Sequence, residues 1–237
     1  MGLSSYRMYL KDERISITAR RSEQGWYDAY NAAIMIDTSN KYQFYHKSRL
    51  VPGVEKMPYP TIFKSLEKFA LDLGGMSGSL GTQDERSVLY SIDSIIKAAP
   101  VICYESIYGE YVSEYINNGA NLICIITNDG WWKDTPGYRQ HCCYASLRAI
   151  ETRKSIARSA NTGISCFVNQ RGDIMQATKW DENDVIKQMV LLNDEQTFYS
   201  KYGDYIAKTS LFMSALIFPY ILFISISRRF RRKIKES

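Results

Sequence analysis

Asn121-Leu-Ile-Cys-Ile-Ile-Thr127 is the stretch whose reading decides the fold. Five apolar residues, Leu122 to Ile126, follow one another without a polar interruption. A strand with one wet face alternates, so this run reads as a strand in a sheet covered on both faces. Upstream, Pro100–Tyr104 reads as a second buried strand, and Ile107–Asn117 between them as a helix. Strand, helix and apolar strand in succession predict a layered α/β domain.

The remaining patterns fit that architecture. Ala32–Ile36 and Tyr42–Tyr45 read as strands joined by the turn Asp37-Thr-Ser-Asn-Lys41. Thr61–Leu71 reads as a short helix, and Gly74–Gly81 as a glycine-rich loop without phosphate-loop spacing, so no nucleotide role is assigned. A helix is expected from about Gly137 to Arg153, with Ala145 and Ile150 on one face and Arg139, Arg148 and Arg153 on others. Ser155–Ser159, Ile164–Asn169, Ile174–Ala177 and Val185–Leu192 complete the predicted strands, with a turn at Gln170-Arg-Gly-Asp173.

The chain has 237 residues, 45% hydrophobic and 23% charged, enough for one good-sized core. Its formal charge is +5, and Arg228-Arg-Phe-Arg-Arg-Lys-Ile-Lys235 alone supplies six positive charges. The rest is near neutral, which argues against a nucleic-acid partner. Just before that cluster, Thr209–Ser227 holds nineteen residues without a charge. At ~1.5 Å per residue this is the length of a bilayer core of roughly 30 Å. A buried core helix is the competing reading; the basic cluster favours the span, with a kink expected at Pro219. The positive-inside rule puts the tail in the cytoplasm and the large domain outside it, at the periplasmic face of a bacterial cell. The N-terminus, MGLSSYRMYLKDERISI, has no apolar signal region, so the chain is expected to be incomplete there. Five cysteines without regular spacing argue against a disulfide framework.

Few residues could carry chemistry. With only His46 and His141, and no paired cysteine spacing, no metal site is expected. Cys142-Cys143 reads as packing, and no Gly-x-Ser-x-Gly elbow is present. Cys103 ends an apolar run just before a helix, where a helix N-terminus lowers a thiol pKa. On spacing alone it is either a nucleophile or a small buried hydrophobe. Lys47, Glu55 and Glu105 taken singly read as ordinary surface charges.

Together these residues resemble a known family. Tyr45-His-Lys-Ser-Arg-Leu-Val-Pro-Gly-Val-Glu55 resembles the Y-x-K-x-x-L-V-P-x-x-E motif of the apolipoprotein N-acyltransferases, membrane-embedded members of the nitrilase superfamily. Ile102-Cys-Tyr-Glu105 resembles the family's nucleophile motif, and Thr127-Asn-Asp-Gly-Trp-Trp132 its T/S-N-D-x-W segment. Arg148-Ala-Ile-Glu-Thr-Arg153 followed by Arg158-Ser-Ala-Asn-Thr-Gly163 resembles R-A-x-E-x-x-R…R-x-x-N-x-G, and Tyr27-Asp-Ala-Tyr-Asn31 resembles D-x-Y-N.

The resemblance implies a four-layer α-β-β-α sandwich over residues 1–203, incomplete at its N-terminus, then a transmembrane helix at 204–227 and a basic tail at 228–237. It implies Cys103 as nucleophile and Lys47 as the cation of a Glu-Lys-Cys triad. Glu105 and Glu55 become essential acids that position Lys47, with Tyr104, Asn31, Asn128 and Trp131 in support or binding substrate. It implies no cofactor. The partners implied are a phospholipid acyl donor, a diacylated lipoprotein acceptor and the inner membrane. The family's first glutamate lies further upstream of its lysine than the 46 residues available here, and Glu13 and Glu23 are too close. A partner fragment carrying that base is therefore expected, with little turnover by this chain alone. Gly53-Val54 also departs from the family's Phe-Gly pair. A soluble-type amidase and a non-catalytic lipid- or lipoprotein-binding remnant are the alternatives.

Overall fold

The computed structural model describes residues 1–39, 41–56 and 79–236, the side chains of the last ten residues of that range excepted. The helix expected at Thr61–Leu71 and most of the glycine-rich loop lie outside the described residues. The chain divides into two units, Met1–Lys201 and Tyr202–Ser237.

The first unit holds two sheets. One is organised around the twelve-residue β3 (Gly25–Ile36). Along one edge runs β1 (Gly2–Met8), antiparallel, from Gly2 opposite Ala33 to Met8 opposite Tyr27. The other edge takes β2 (Arg20–Ser22) and then β4 (Tyr42–His46), both antiparallel. The second sheet has six strands in the order β10-β9-β8-β7-β6-β5. Its centre is parallel: β6 (Lys97–Ile102), β7 (Leu122–Thr127) and β8 (Ser155–Ala160). Antiparallel β5 (Leu89–Tyr90), β9 (Cys166–Val168) and β10 (Ile174–Met175) complete it. Helix α1 (Gly109–Asn117) crosses from β6 to β7, and α2 (Pro136–Thr152) from β7 to β8. Parallel neighbours require such crossovers, which leave helices covering the sheet.

One core joins these elements. Ala33 and Tyr45 of the first sheet cluster with Val101, Ile123, Ile125 and Ile156 of the second, and with Tyr115, Cys142 and Ala145 of the helices. Among the described residues this makes three layers: sheet, sheet and helices. Pro136 at the start of α2 and the Thr135 side chain, which accepts from the N–H of Gly137, set its N-terminus.

Several expectations are corrected. The strand predicted at Pro100–Tyr104 stops at Ile102; Cys103–Ile107 is a 3-10 turn, so Cys103 follows the strand instead of ending it. Val185–Leu192 is not a strand. Val185, Met189 and Leu191 are more than 70% exposed, and side-chain bonds such as Ser155 Oγ to Leu191 O hold the segment in place of a backbone ladder. On α2, Ile150 is exposed and Arg148 buried, the reverse of the expected amphipathicity. The Arg148 guanidinium is inside because Ile107 O and Glu151 accept from it.

Helix α3 (Phe198–Tyr202) closes the first unit, and α4 (Tyr205–Glu236) belongs to the second. Its segment Tyr205–Ile226 is 22 residues long, apolar enough to cross a membrane, and exposed. The same helix includes the basic cluster, Arg228–Lys235.

Candidate active site

Lys47 directly follows β4, its N–H donating to Asn31 O on β3 at 2.8 Å. The side chain is 1% exposed. A buried ammonium is costly unless paired, and Glu55 supplies the pairing. Lys47 Nζ donates to both carboxylate oxygens, at 2.9 and 2.7 Å. Glu55 is aimed by its own turn: its N–H donates to Val51 O at 2.9 Å, and Val51 N–H donates back to Glu55 Oε2 at 2.8 Å. The Asn31 amide also donates to Glu55 Oε1. The L-V-P-x-x-E spacing therefore closes a turn whose product is a carboxylate facing Lys47.

Glu105 is fully buried and collects five donors. Its Oε2 accepts from Ile102 N–H at 2.8 Å. Its Oε1 accepts from Ser48 N–H at 2.7 Å, Tyr45 Oη at 2.7 Å, Tyr111 Oη at 2.6 Å and, more weakly, Arg49 N–H at 3.3 Å. It thus grips the backbone just after Lys47 and just before Cys103, joining the two sheets at the site. Burial first, and then the charge of Glu105, push the Tyr45 phenol far up and the Tyr111 phenol up to about 12. Both stay protonated donors to the carboxylate.

Cys103 takes a left-handed backbone conformation, φ 49°. For a residue with a side chain that costs about 1–2 kcal/mol, and such strain concentrates at functional sites. The thiol opens on a cavity of about 950 Å³. Seven of the eight residues singled out from sequence line it: Cys103, Lys47, Glu55, Tyr104, Asn31, Asn128 and Trp131. The eighth, Glu105, lies behind. Ile102, Ile107, Ile126, Trp132 and Tyr144 give the cavity an apolar wall. Tyr104 packs edge-on against Tyr108 at 5.3 Å. Asn128 Oδ1 accepts from Gly130 N–H at 3.1 Å and Thr162 Oγ1 at 3.2 Å, fixing the turn that carries Trp131.

A second buried network backs Cys103. Asp129 accepts from Thr127 Oγ1 at 3.0 Å, His141 Nδ1 at 2.8 Å and Arg158 Nη2 at 2.8 Å. Gly163 leaves the room: a Cβ there would come within 2.1 Å of Asp129 Oδ2. Burial alone would raise the Asp129 carboxyl, but the bonds from His141 and Arg158 outweigh it and hold it below 3.8. A depressed carboxyl adds stability that is complete above the unfolded value and is lost as pH falls through the folded one. Asp129→Asn is therefore expected to lower stability most above about pH 4, with the gap to wild type closing in acid. Urea midpoints measured across that range check this; a gap independent of pH overturns it.

Sequence reasoning misses Tyr45, Tyr111, Asp129, His141 and Arg158: Tyr45, Asp129 and Arg158 stand inside motifs without a sign of their roles, and His141 has no metal-ligand spacing.

The carbon-nitrogen hydrolase family profile matches residues 5–198. The apolipoprotein N-acyltransferase of Chlorobaculum tepidum is 33% identical over 195 residues, 81% of this chain and 36% of that protein. Those of Thermotoga maritima and Rickettsia prowazekii are 29% and 31% identical, covering 92% and 91% of this chain and 42% of each relative. The chain spans about two fifths of the length of these curated relatives. With the family profile matched over most of its length, the chain belongs to the carbon-nitrogen hydrolase family of the nitrilase superfamily.

Proposed function

We propose that residues 1–203 are the catalytic domain of a lipoprotein N-acyltransferase, of the four-layer α-β-β-α sandwich class. In this reading 204–227 cross the bacterial inner membrane, the domain faces the periplasm, and 228–237 are cytoplasmic. One observation carries the reading: Cys103 and a buried Lys47, paired with the half-buried Glu55, line the same apolar-walled cavity.

The Cys103 thiolate attacks the ester carbonyl of a phospholipid acyl chain. Lys47 has three N–H donors, of which two engage Glu55; the third, with a backbone N–H beside Cys103, receives the oxyanion. Collapse of the tetrahedral adduct breaks the ester C–O bond and releases a protonated lysophospholipid, leaving the acyl group as a thioester. The amine of a diacylglyceryl-cysteine then attacks the thioester, the C–S bond breaks, and an amide forms. Among the described cavity residues Glu55 is the only carboxylate, and it is engaged with Lys47. The base that takes the thiol proton is therefore proposed to come from outside those residues.

The test is incubation of the chain in detergent with a phospholipid labelled in its acyl chain, with and without added formate as a small carboxylate base. A hydroxylamine-labile label on Cys103, stronger with formate, transferable to a diacylated peptide and absent in Cys103→Ala, is expected. Hydrolysis of small amides without lipid labelling points to an amidase. No adduct under any condition leaves a binding role and overturns the thioester route.

A further inference from the structure

We propose that His141 is a positioning residue that aims the backbone N–H of Tyr104 at the oxyanion by holding the carbonyl of Cys103. The claim rests on the reading of Cys103 as nucleophile.

His141 stands on α2, 6% exposed, with both ring nitrogens engaged. Nδ1 lies 2.8 Å from Asp129 Oδ1. An ionised carboxylate only accepts, so the ring donates there. Arg158 holds the other oxygen of Asp129, so the imidazole is braced from behind. On its far side Nε2 lies 3.2 Å from Cys103 O and 3.1 Å from Ser106 Oγ. A carbonyl oxygen also only accepts, so in this role the ring donates from both nitrogens, Nδ1 to Asp129 and Nε2 to Cys103 O. Ser106 Oγ itself donates to Cys103 O at 2.8 Å. Ring, hydroxyl and carbonyl form a closed triangle that fixes the direction of one carbonyl.

That carbonyl belongs to the peptide linking Cys103 to Tyr104. The peptide is planar and trans, so its N–H points opposite to its C=O. Holding Cys103 O against His141 therefore directs Tyr104 N–H the other way and keeps the left-handed turn at Cys103 from relaxing. The T-N-D-x-W and R-x-x-N-x-G motifs gain a use here. They supply Asp129, Arg158 and Gly163, which together orient one imidazole.

Two substitutions separate this role from simple packing. His141→Gln can place its amide near the Nε2 position and still reach Cys103 O. His141→Asn can reach Asp129 but not Cys103. Two probes of Cys103, both read by peptide mass spectrometry, separate the chemistry. Acylation by p-nitrophenyl butyrate passes through an oxyanion; alkylation by iodoacetamide does not. Exposed Cys143 is the internal reference for both.

We expect His141→Asn to slow acylation about 10²-fold, the scale of losing one oxyanion donor. Its Cys103:Cys143 alkylation ratio should change far less. His141→Gln should keep acylation within severalfold of wild type. Equal losses of acylation and alkylation in both variants, tracking their melting temperatures, overturn the proposal. So does a wild-type Cys103 that takes no butyryl group. If the phospholipid fails as donor while this order of variants holds, the proposed reaction fails and the positioning role stands.

Discussion

Replacing Lys47 by Met is expected to slow acylation of Cys103 by about 10²–10³-fold, the cost of removing one oxyanion donor. The same change should also destabilise the fold. Lys47 is 1% exposed and its partner is half-buried. Removing one member of a buried pair costs about 3 kcal/mol, because the remaining charge keeps its desolvation penalty without its counter-ion. Asn31 and Val51 N–H still donate to Glu55, which moderates the loss without neutralising the carboxylate.

Loss of activity and loss of stability can be separated in a double-mutant cycle. In Lys47→Met with Glu55→Gln the orphaned charge is gone, and most of the stability should return. Acylation should not, because the neutral pair offers no ammonium to the oxyanion. Thermal unfolding and p-nitrophenyl butyrate acylation of the four proteins decide the matter. If the double variant recovers acylation together with stability, Lys47 serves the fold and not the reaction.

The sequence makes part of this site visible, for physical reasons. β7 is legible because both of its faces are covered and its residues show it. β1 is not: most of Gly2–Met8 is exposed, and the strand exists because the edge of β3 pairs with it. Val185, Met189 and Leu191 show the opposite failure, apolar residues with strand propensity left exposed outside any ladder. In the site, Lys47 and Glu55 form a local turn, so their spacing carries information. Glu105 draws its donors from positions 45, 48, 49, 102 and 111, and Asp129 from 127, 141 and 158. Convergence of distant positions on one buried carboxylate leaves no periodic trace. The resemblance implies that Glu105 helps position Lys47, and its bonds reach the backbone just after Lys47 and just before Cys103.

Glu105→Gln is expected to be among the most destabilising isosteric changes in the protein. The carboxylate only accepts, and all five of its recorded neighbours donate. An amide has one accepting end. Turned either way, its NH₂ meets at least one donor: Ile102 N–H on one side, or Ser48 N–H and two phenols on the other. The remaining bonds also fall from charge-assisted to neutral strength. A loss of about 3 kcal/mol follows from one unsatisfied buried donor and several weakened bonds. For a domain of this size that corresponds to a fall in melting temperature of roughly 6–12 °C. Glu55→Gln, at a half-buried site with fewer donors, should shift it less. A second readout is independent of stability. Removing the Glu105 charge should bring Tyr111, held at about 12, part of the way back towards 10, because burial, the larger cause, remains. Tyrosinate absorbance in alkaline titration reads this. An unchanged melting temperature together with an unchanged titration would mean that Glu105 is not the carboxylate holding Lys47 and Cys103 in place.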